Sequence, residues 1–205
     1  MLMGNSSCPP TLGIKVEGDQ KNCAEKFEDI LRKISSDAQI KHVVLAFFGN
    51  YFLTTAYAAD HIANKTGPQS FKVEIPGGRG PSREDVFYVG LNNTIKLLVS
   101  NGKQVTLLID IPELPFFPKD CIRNTLKTCV IKRAEVDRRQ ASLRKIISEL
   151  KKSNPTLSLF DPIHLMCDAK QCGYLMNDVA LYRDSHHLSV RGSFEYAKRF
   201  VASQQ

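Results

Sequence analysis

The run His42-Val43-Val44-Leu45-Ala46-Phe47-Phe48 is an almost continuous apolar stretch that ends at Gly49-Asn50. A run of this length without polar alternation is typical of a parallel strand whose two faces are both covered by helices. Parallel strands need long crossover connections, which are usually helices. The stretch therefore predicts a sheet of the α/β kind, with helical segments before and after it.

Two further strands support this interpretation. Residues 104–109 form a second apolar run that ends at Asp110, and a proline-rich segment follows it. Prolines cannot continue a central strand. A shorter strand at 156–160 ends at Asp161. Because ligands bind beyond the carboxyl ends of such strands, Gly49-Asn50, Asp110 and Asp161 are expected near a site.

Helical periodicity fills the intervals between these strands. Apolar residues recur at helical spacing in segments at 23–36, at 131–152 and at 190–203. A further helix begins after Ser82, an expected N-cap with Asp85 at the third position. The last helix is predicted to bury Phe194, Ala197, Phe200 and Val201. The alternation of strands and helices predicts an α/β fold, in one domain that spans residues 1–205.

Composition limits the classes of function. The net charge is 28 − 21 = +7, which fits a solvated basic surface or an anionic partner. Nucleic-acid binding through the basic helix at 131–152 is not favoured, because acidic residues interrupt the basic ones and no nucleic-acid motif is present. No stretch of about 18 apolar residues occurs. The N-terminus has no features of a signal peptide.

The six cysteines fall into three local couples. An even count with short spacings fits three small disulfides and an oxidising compartment. A zinc site that joins Cys167 and Cys172 to His164, His186 or His187 is an alternative, but the tight spacing of structural zinc sites is missing. Buried free thiols are a second alternative. The disulfides predicted by the local spacing are Cys8–Cys23, Cys121–Cys129 and Cys167–Cys172.

Asp184 and His187 are candidates for catalysis just before the last helix. A serine nucleophile needs a histidine base, and that base needs a carboxylate to fix its tautomer and stabilise its cation. A turn that enters a helix can fold an aspartate back onto a histidine three residues later. The spacing alone is equally compatible with an Asp184 that caps the helix and a surface His187. His186 is a competing candidate for the base.

The order of motifs in the last quarter of the chain resembles a known family. Phe160-Asp161-Pro162, the Cys167/Cys172 couple, Leu181-Tyr182-Arg183-Asp184 and His187-Leu188-Ser189 follow one another. This block resembles the SGNH domains that are fused to membrane acyltransferases of the acyltransferase family 3 type. Supporting matches are Cys8-Pro9-Pro10 before Cys23, Val43-Val44-Leu45 before a polar turn, and Ile111-Pro112-Glu113-Leu114-Pro115 before Cys121.

The resemblance implies a three-layer flavodoxin-like sheet with helices on both faces, and serine-type ester chemistry without a cofactor or metal. The implied substrate is a cell-surface polysaccharide or acyl sugar, such as lipopolysaccharide O-antigen. The implied partner is a membrane acyltransferase domain fused upstream, which tethers the domain to the inner membrane in the periplasm. By position in the family pattern, Asp184 orients, His187 is the base, and Asn50 donates to the oxyanion. Asn50 is also compatible with a simple turn residue.

The start of the chain departs from the family pattern. The family's nucleophile lies in a Gly-Asp-Ser-His segment at the end of the first strand, well before the Cys-Pro-Pro. Ser6 is not expected to replace it, because Cys8-Pro9-Pro10 follows too soon for the next helix. We therefore expect a chain that lacks the first strand, its helix and the nucleophile, and that is inactive by itself. The alternative is a non-catalytic glycan-binding or interaction domain that keeps the fold.

Overall fold

The computed structural model describes residues 3–4, 8–14, 22–53, 82–123, 129–176 and 179–203. Ser6 lies outside these ranges. The described helices and strands are, in chain order, α1 (Cys23–Ser36), β1 (His42–Leu45), α2 (Gly49–Leu53), α3 (Arg83–Ser100), β2 (Gln104–Leu108), α4 (Pro118–Ile122), β3 (Val130–Lys132), α5 (Arg133–Ser153), β4 (Ser158–Phe160), α6 (Ile163–Met166), β5 (Gln171–Gly173), β6 (Leu175–Met176), β7 (Val179–Ala180) and α7 (Val190–Ala202).

The three predicted strands form one parallel sheet in the order β1-β2-β4. Val43 is in register with Val105, and Leu45 is in register with Leu107. This sheet, with helices between its strands in the chain, confirms the predicted α/β class and is consistent with a flavodoxin-like fold. β2 has a neighbouring strand on each side, as a central strand of such a sheet should.

The prediction that β1 is buried on both faces is wrong. Its side chains alternate between exposed and buried, and Val44 is 45% exposed. Among the described strands, β1 pairs only with β2 and therefore lies at an edge of the sheet. At an edge of the sheet, side chains can reach solvent around the margin of the covering layer, so an apolar composition does not guarantee that both faces of the strand are buried.

The described residues divide into two compact units. The first holds the described residues up to 53 together with residues 82–108 and 141–159, and the second holds residues 109–140 and 160–203. In the first unit, α3 buries a stripe of large apolar side chains, and it contacts both α1 and β2. The fully buried members of this stripe are Leu91, Ile95 and Leu98. That residues 1–205 form a single domain stays a prediction.

The helix α3 begins as predicted. The Ser82 hydroxyl accepts a hydrogen bond from the backbone N–H of Asp85 at 3.1 Å, and the Asp85 carboxylate accepts one from the backbone N–H of Ser82. This reciprocal capping box satisfies two of the donors that a helix start leaves open. Further along, Gly90 leaves room for the N-terminal segment, because a Cβ there would overlap Ile14 and approach Thr11 at 2.7 Å.

The second unit has its own apolar core and, apart from α7 and the start of α5, short elements. β3 pairs with β5 and β6 pairs with β7, both antiparallel, and the sequence predicted none of these four strands. With two or three residues each, they are too short to carry a periodic signal. The core includes Leu114, Phe116, Cys121, Ile131, Val136, Ile163, Met166, Cys172, Leu181 and Tyr182.

The six cysteines pair as Cys8–Cys23, Cys121–Cys129 and Cys167–Cys172, which is the pairing that their spacing predicts. The zinc site with Cys167 and Cys172 is therefore not formed, because both sulfur atoms are used in a disulfide. The alternative of buried free thiols is likewise wrong.

The helix α7 corrects another prediction. Phe194 is 66% exposed, Val201 is 56% exposed and Ala197 is exposed as well, so the predicted buried stripe is largely wrong. Tyr196 and Phe200 instead pack edge-on against Phe160, with ring centroids 5.2 Å apart in each pair. The helix is apolar on two faces, and periodicity alone does not tell which of the two packs inward.

Candidate active site

The candidate site lies in a tight loop of the second unit, at residues 181–189. Tyr182 and Leu188 form an isolated antiparallel bridge across the base of this loop. The backbone N–H of Arg183 donates to the carbonyl of His187 at 2.8 Å, and Ser189 donates to Leu181 at 2.8 Å. These bonds close the loop and bring Asp184 and His187 to its tip.

Two hydrogen bonds anchor this loop to the segment that follows β2. The backbone N–H of Leu114 donates to the carbonyl of Ser185 at 2.8 Å. The Tyr182 hydroxyl, which is buried, donates to the carbonyl of Pro112 at 2.8 Å. Both contacts reach residues within two positions of Asp184, so they fix the backbone that carries the candidate carboxylate.

The anchoring segment is itself held by α5. The Gln140 side chain donates to the carbonyl of Asp110 at 3.1 Å. Arg139 forms an ion pair with Glu113, whose side chain is only 3% exposed. Breaking a buried pair of this kind leaves an uncompensated charge and costs about 3–5 kcal/mol. The segment is therefore a rigid support for the loop at 181–189.

Ser189, and not Asp184, is the N-cap of α7. The Ser189 hydroxyl accepts from the backbone N–H of Gly192 at 2.9 Å and donates to the carbonyl of Ala180 at 2.6 Å. Gly192 is buried, and a Cβ there would overlap the backbone carbonyl of Leu181. The alternative in which Asp184 caps the helix is thus wrong, and its carboxylate is used elsewhere.

That carboxylate is directed at His187. The Nδ1 atom of the His187 ring lies 2.9 Å from each carboxylate oxygen of Asp184. The backbone N–H groups of His186 and His187 also donate to Asp184 Oδ1, at 3.1 and 2.8 Å. Arg183 adds a weaker contact to Oδ2 at 3.2 Å. The two residues form the hydrogen-bonded pair in which a carboxylate fixes the tautomer of a histidine.

These contacts keep Asp184 ionised. Burial by itself would raise the pKa of the Asp184 carboxyl. The backbone hydrogen bonds from His186 and His187, together with the hydrogen bond and charge of the His187 ring, outweigh burial and lower this pKa to about 2. An ionised carboxylate next to Nδ1 stabilises the imidazolium that forms when Nε2 takes up a proton.

His186 is in a different environment. Its Nδ1 atom is 2.9 Å from the Ser185 hydroxyl and 3.9 Å from Asp184 Oδ1, beyond hydrogen-bond distance. The side chain of His186 is 22% exposed, whereas that of His187 is 55% exposed. The geometry therefore favours His187 over His186 as the candidate base, since it combines the carboxylate contact with access to solvent.

Asn50 belongs to the first unit, where it is the second residue of α2. It is 2% exposed, so its amide faces protein and not solvent. The preceding Gly49 fits closely against Leu143, because a Cβ on Gly49 would come within 2.7 Å of the Leu143 side chain. The oxyanion role of Asn50 stays a prediction.

No nucleophile for His187 is found among the described residues. The hydrogen bonds of the His187 ring go to Asp184 alone in this part of the chain. Ser185 is next to both histidines, but it is fully buried and its hydroxyl bonds with His186. In this geometry the Ser185 hydroxyl is not accessible to a substrate, and its bond to His186 stabilises the loop. Ser6 lies outside the described residues.

Asp110 and Asp161 follow β2 and β4 in the chain, and each has a structural role or neighbour outside the loop at 181–189. Asp161 Oδ1 accepts from the backbone N–H of Ile163 at 3.0 Å and so stabilises the start of α6. Burial, and then the negative charges of Asp110 and Asp161, raise the pKa of the Tyr196 hydroxyl. Tyr196 therefore stays protonated and remains a hydrogen-bond donor at neutral pH. The strand ends pointed to Asp110 and Asp161, whereas no pattern in the sequence pointed to Tyr196, which lies on a helix further along the chain.

Comparison with known proteins assigns the chain to a family. The comparisons with curated proteins and with solved structures yield no match. The part of the chain that the structure describes has no helix long and apolar enough to cross a membrane. The family model for the SGNH domain fused to AT3 domains matches residues 1–202, nearly the whole length, and agrees with the parallel sheet. The chain therefore belongs to the family of SGNH domains that are fused to AT3 acyltransferase domains.

Proposed function

We propose that this domain takes part in the O-acylation of a cell-surface polysaccharide, such as lipopolysaccharide O-antigen, by transfer or hydrolysis of an acyl ester. The observation that carries the proposal is the bond between His187 Nδ1 and the Asp184 carboxylate, at 2.9 Å to both oxygens. Family membership adds a membrane acyltransferase as the partner. An oxidising periplasm is supported by the three disulfides, which are rare in reducing compartments.

In this proposal His187 is the general base. Its Nε2 atom takes a proton from the attacking hydroxyl, and the same proton is later given to the leaving oxygen. Asp184 holds Nδ1–H and stabilises the imidazolium. Asn50 would donate to the developing oxyanion, which requires that its amide become accessible. The attacking hydroxyl is not assigned to any described residue.

The first prediction concerns the base. In cells that express the AT3-fused protein, His187→Ala should lower O-acylation of the polysaccharide by at least about 100-fold, because general base catalysis supplies that factor or more. The readout is the acyl content of purified polysaccharide. His164→Ala is the matched control, since His164 is exposed on α6 and makes no contact with the pair. Unchanged acylation in the His187→Ala protein would remove His187 from the mechanism.

His186→Ala separates the two candidate bases in the same assay. If His187 is the base, the His186→Ala protein should keep more activity than the His187→Ala protein. An equal or larger loss with His186→Ala would assign the base to His186 and overturn the present role of His187. Protein abundance measured by immunoblot distinguishes a catalytic loss from degradation of the variant.

The second prediction concerns the 205-residue chain by itself. We propose that it is inactive as an esterase, because no hydroxyl or thiol in its described part bonds with the His187 ring. Hydrolysis of p-nitrophenyl acetate should therefore be the same for this chain and for its His187→Ala variant. Activity that disappears in the variant would contradict this proposal.

The lack of a hydroxyl or thiol bonded to the His187 ring in the described part of the chain also favours a second candidate function. A domain that keeps the SGNH fold without a nucleophile can act by binding glycan. Calorimetric titration of the chain with purified surface polysaccharide tests this candidate. Saturable binding together with the absence of His187-dependent hydrolysis supports the glycan-binding role. Hydrolysis that depends on His187 supports the ester chemistry.

A further inference from the structure

Asp184, His186 and His187 each offer a potential metal ligand at the tip of the loop at 181–189. One ligand atom from each residue lies within 4.8 Å of the other two. Imidazole nitrogen and carboxylate oxygen are both good ligands for Zn²⁺, which prefers three or four of them in tetrahedral geometry. We propose that these three side chains form a reversible binding site for Zn²⁺ or a similar divalent transition-metal ion.

The distances fit such a site after small movements. His187 Nδ1 is 2.9 Å from Asp184 Oδ1, and His186 Nδ1 is 3.9 Å from the same oxygen. Bonds of about 2.0–2.2 Å in tetrahedral geometry place neighbouring ligand atoms about 3.3 Å apart. Of these two distances one must lengthen and the other must shorten, each by about half an ångström, and the two histidine nitrogens, which lie within 4.8 Å of each other, must reach the same spacing; side-chain rotation can supply these movements.

The site is accessible and part of its frame is already built. The exposed fractions of the side chains are 55% for His187, 22% for His186 and 26% for Asp184, so an ion can enter from solvent and keep a water as its fourth ligand. The backbone N–H groups that donate to Asp184 hold Oδ1 within 4 Å of the Nδ1 atoms of both rings. Binding exchanges the bond between His186 Nδ1 and the Ser185 hydroxyl for a bond to the ion.

Metal binding has a direct consequence for His187. An ion on Nδ1 takes the place of the proton that this atom shares with Asp184, and the neutral ring then carries its proton on Nε2. Nδ1 coordinates the ion through its lone pair, and the oxidation state of the ion does not change. A ring protonated on Nε2 cannot accept a proton there, so the ion should inhibit the general base. This consequence rests on the proposed function, whereas the binding itself does not.

The test is calorimetric titration of the disulfide-bonded chain with Zn²⁺ alone, read together with the imidazole signals in NMR. We expect one ion per chain, with shifts of the His186 and His187 signals. His186→Ala, His187→Ala and Asp184→Asn should each weaken binding by at least about tenfold, because each removes one of three ligands. His164→Ala is the matched control and should leave the affinity unchanged, since His164 lies outside the cluster.

Several results would overturn the site. These are the absence of saturable binding up to about 1 mM Zn²⁺, which corresponds to a very weak site, equal affinity in all variants, or a loss with His164→Ala. Binding that needs His187 and Asp184 but survives His186→Ala would also contradict the three-ligand site. Thermal melts of the variants identify any that fail to fold. Failure of zinc binding leaves the acylation proposal intact, and failure of the acylation test leaves the metal site intact, because the two readouts are independent.

Discussion

The two units of the molecule achieve order by different physical means. In the first unit, long elements bury regular stripes of apolar side chains, such as the stripe of α3. The second unit also has an apolar core, but apart from α7 and the start of α5 its described elements are helices of four or five residues and strands of two or three residues, tied by two disulfides and by hydrogen bonds between separate segments. Burial is non-directional, whereas hydrogen bonds and disulfides specify the positions of particular atoms. The candidate active site lies in the second unit, where directional bonds hold the Asp184 carboxylate at hydrogen-bond distance from the His187 ring.

The largest effect is expected for removal of an apolar side chain from the first unit. Leu98 is fully buried on α3, and Leu98→Ala should lower the free energy of unfolding by about 2–5 kcal/mol, because it removes buried methyl groups and leaves a cavity. Urea-induced unfolding measures this loss. The matched control is Val89→Ala on the same helix, where Val89 is 40% exposed and the change should stay within about 1 kcal/mol. Equal losses for the two variants would contradict the apolar stripe.

A smaller effect is expected at a close backbone contact in the second unit. Gly192→Ala places a methyl group against the Leu181 carbonyl, so α7 or the loop at 181–189 must shift, at a cost of about 1–3 kcal/mol. Gly173→Ala is the control, because the nearest atom to its new methyl group would be 3.6 Å away. NMR of the His187 ring should show a displaced signal for the Gly192 variant alone. An unchanged ring signal in that variant would mean that the contact does not position the site.

The contrast between the units also explains how much could be predicted from the sequence. The helix α3 was predictable because Ser82 and Asp85 encode its start and its apolar stripe repeats at helical spacing from Val86 to Leu98. The α/β class followed from the three strands. The exposed face of β1 was not predictable, because it depends on the position of the strand in the sheet and on what covers that face. The buried face of α7 was predicted wrongly because two faces of this helix carry apolar residues.

The site was predictable only in part. The spacing of Asp184 and His187 left a helix cap and a catalytic pair equally open, and the cap proved to be Ser189. The supports of the loop, Tyr182 on Pro112 and Leu114 on Ser185, join residues about 70 positions apart. No local pattern encodes such pairs. The disulfides are the exception, because cysteine spacing is a local signal and the partners are close in the chain.

The smallest expected effect concerns the charge of Asp184. Its pKa is lowered from the ordinary value of 3.8 to about 2, so the folded state favours the ionised form. A group with a lowered pKa stabilises the fold at all pH values above the unfolded pKa, and this contribution is lost as the pH falls from about 4 towards about 2. The size of the loss should be modest, since the side chain is about a quarter exposed and solvent weakens its interactions.

Urea-induced unfolding of the wild-type chain and of Asp184→Asn, measured across this pH window, tests whether the ionised Asp184 carboxylate stabilises the fold. The difference in stability between the two proteins should shrink as the pH falls, because protonation removes from the wild type what the substitution has already removed from the variant. A difference that stays constant from neutral to acidic pH would mean that the ionised carboxylate does not hold the loop, and that its bonds to His186 and His187 serve only to orient the ring.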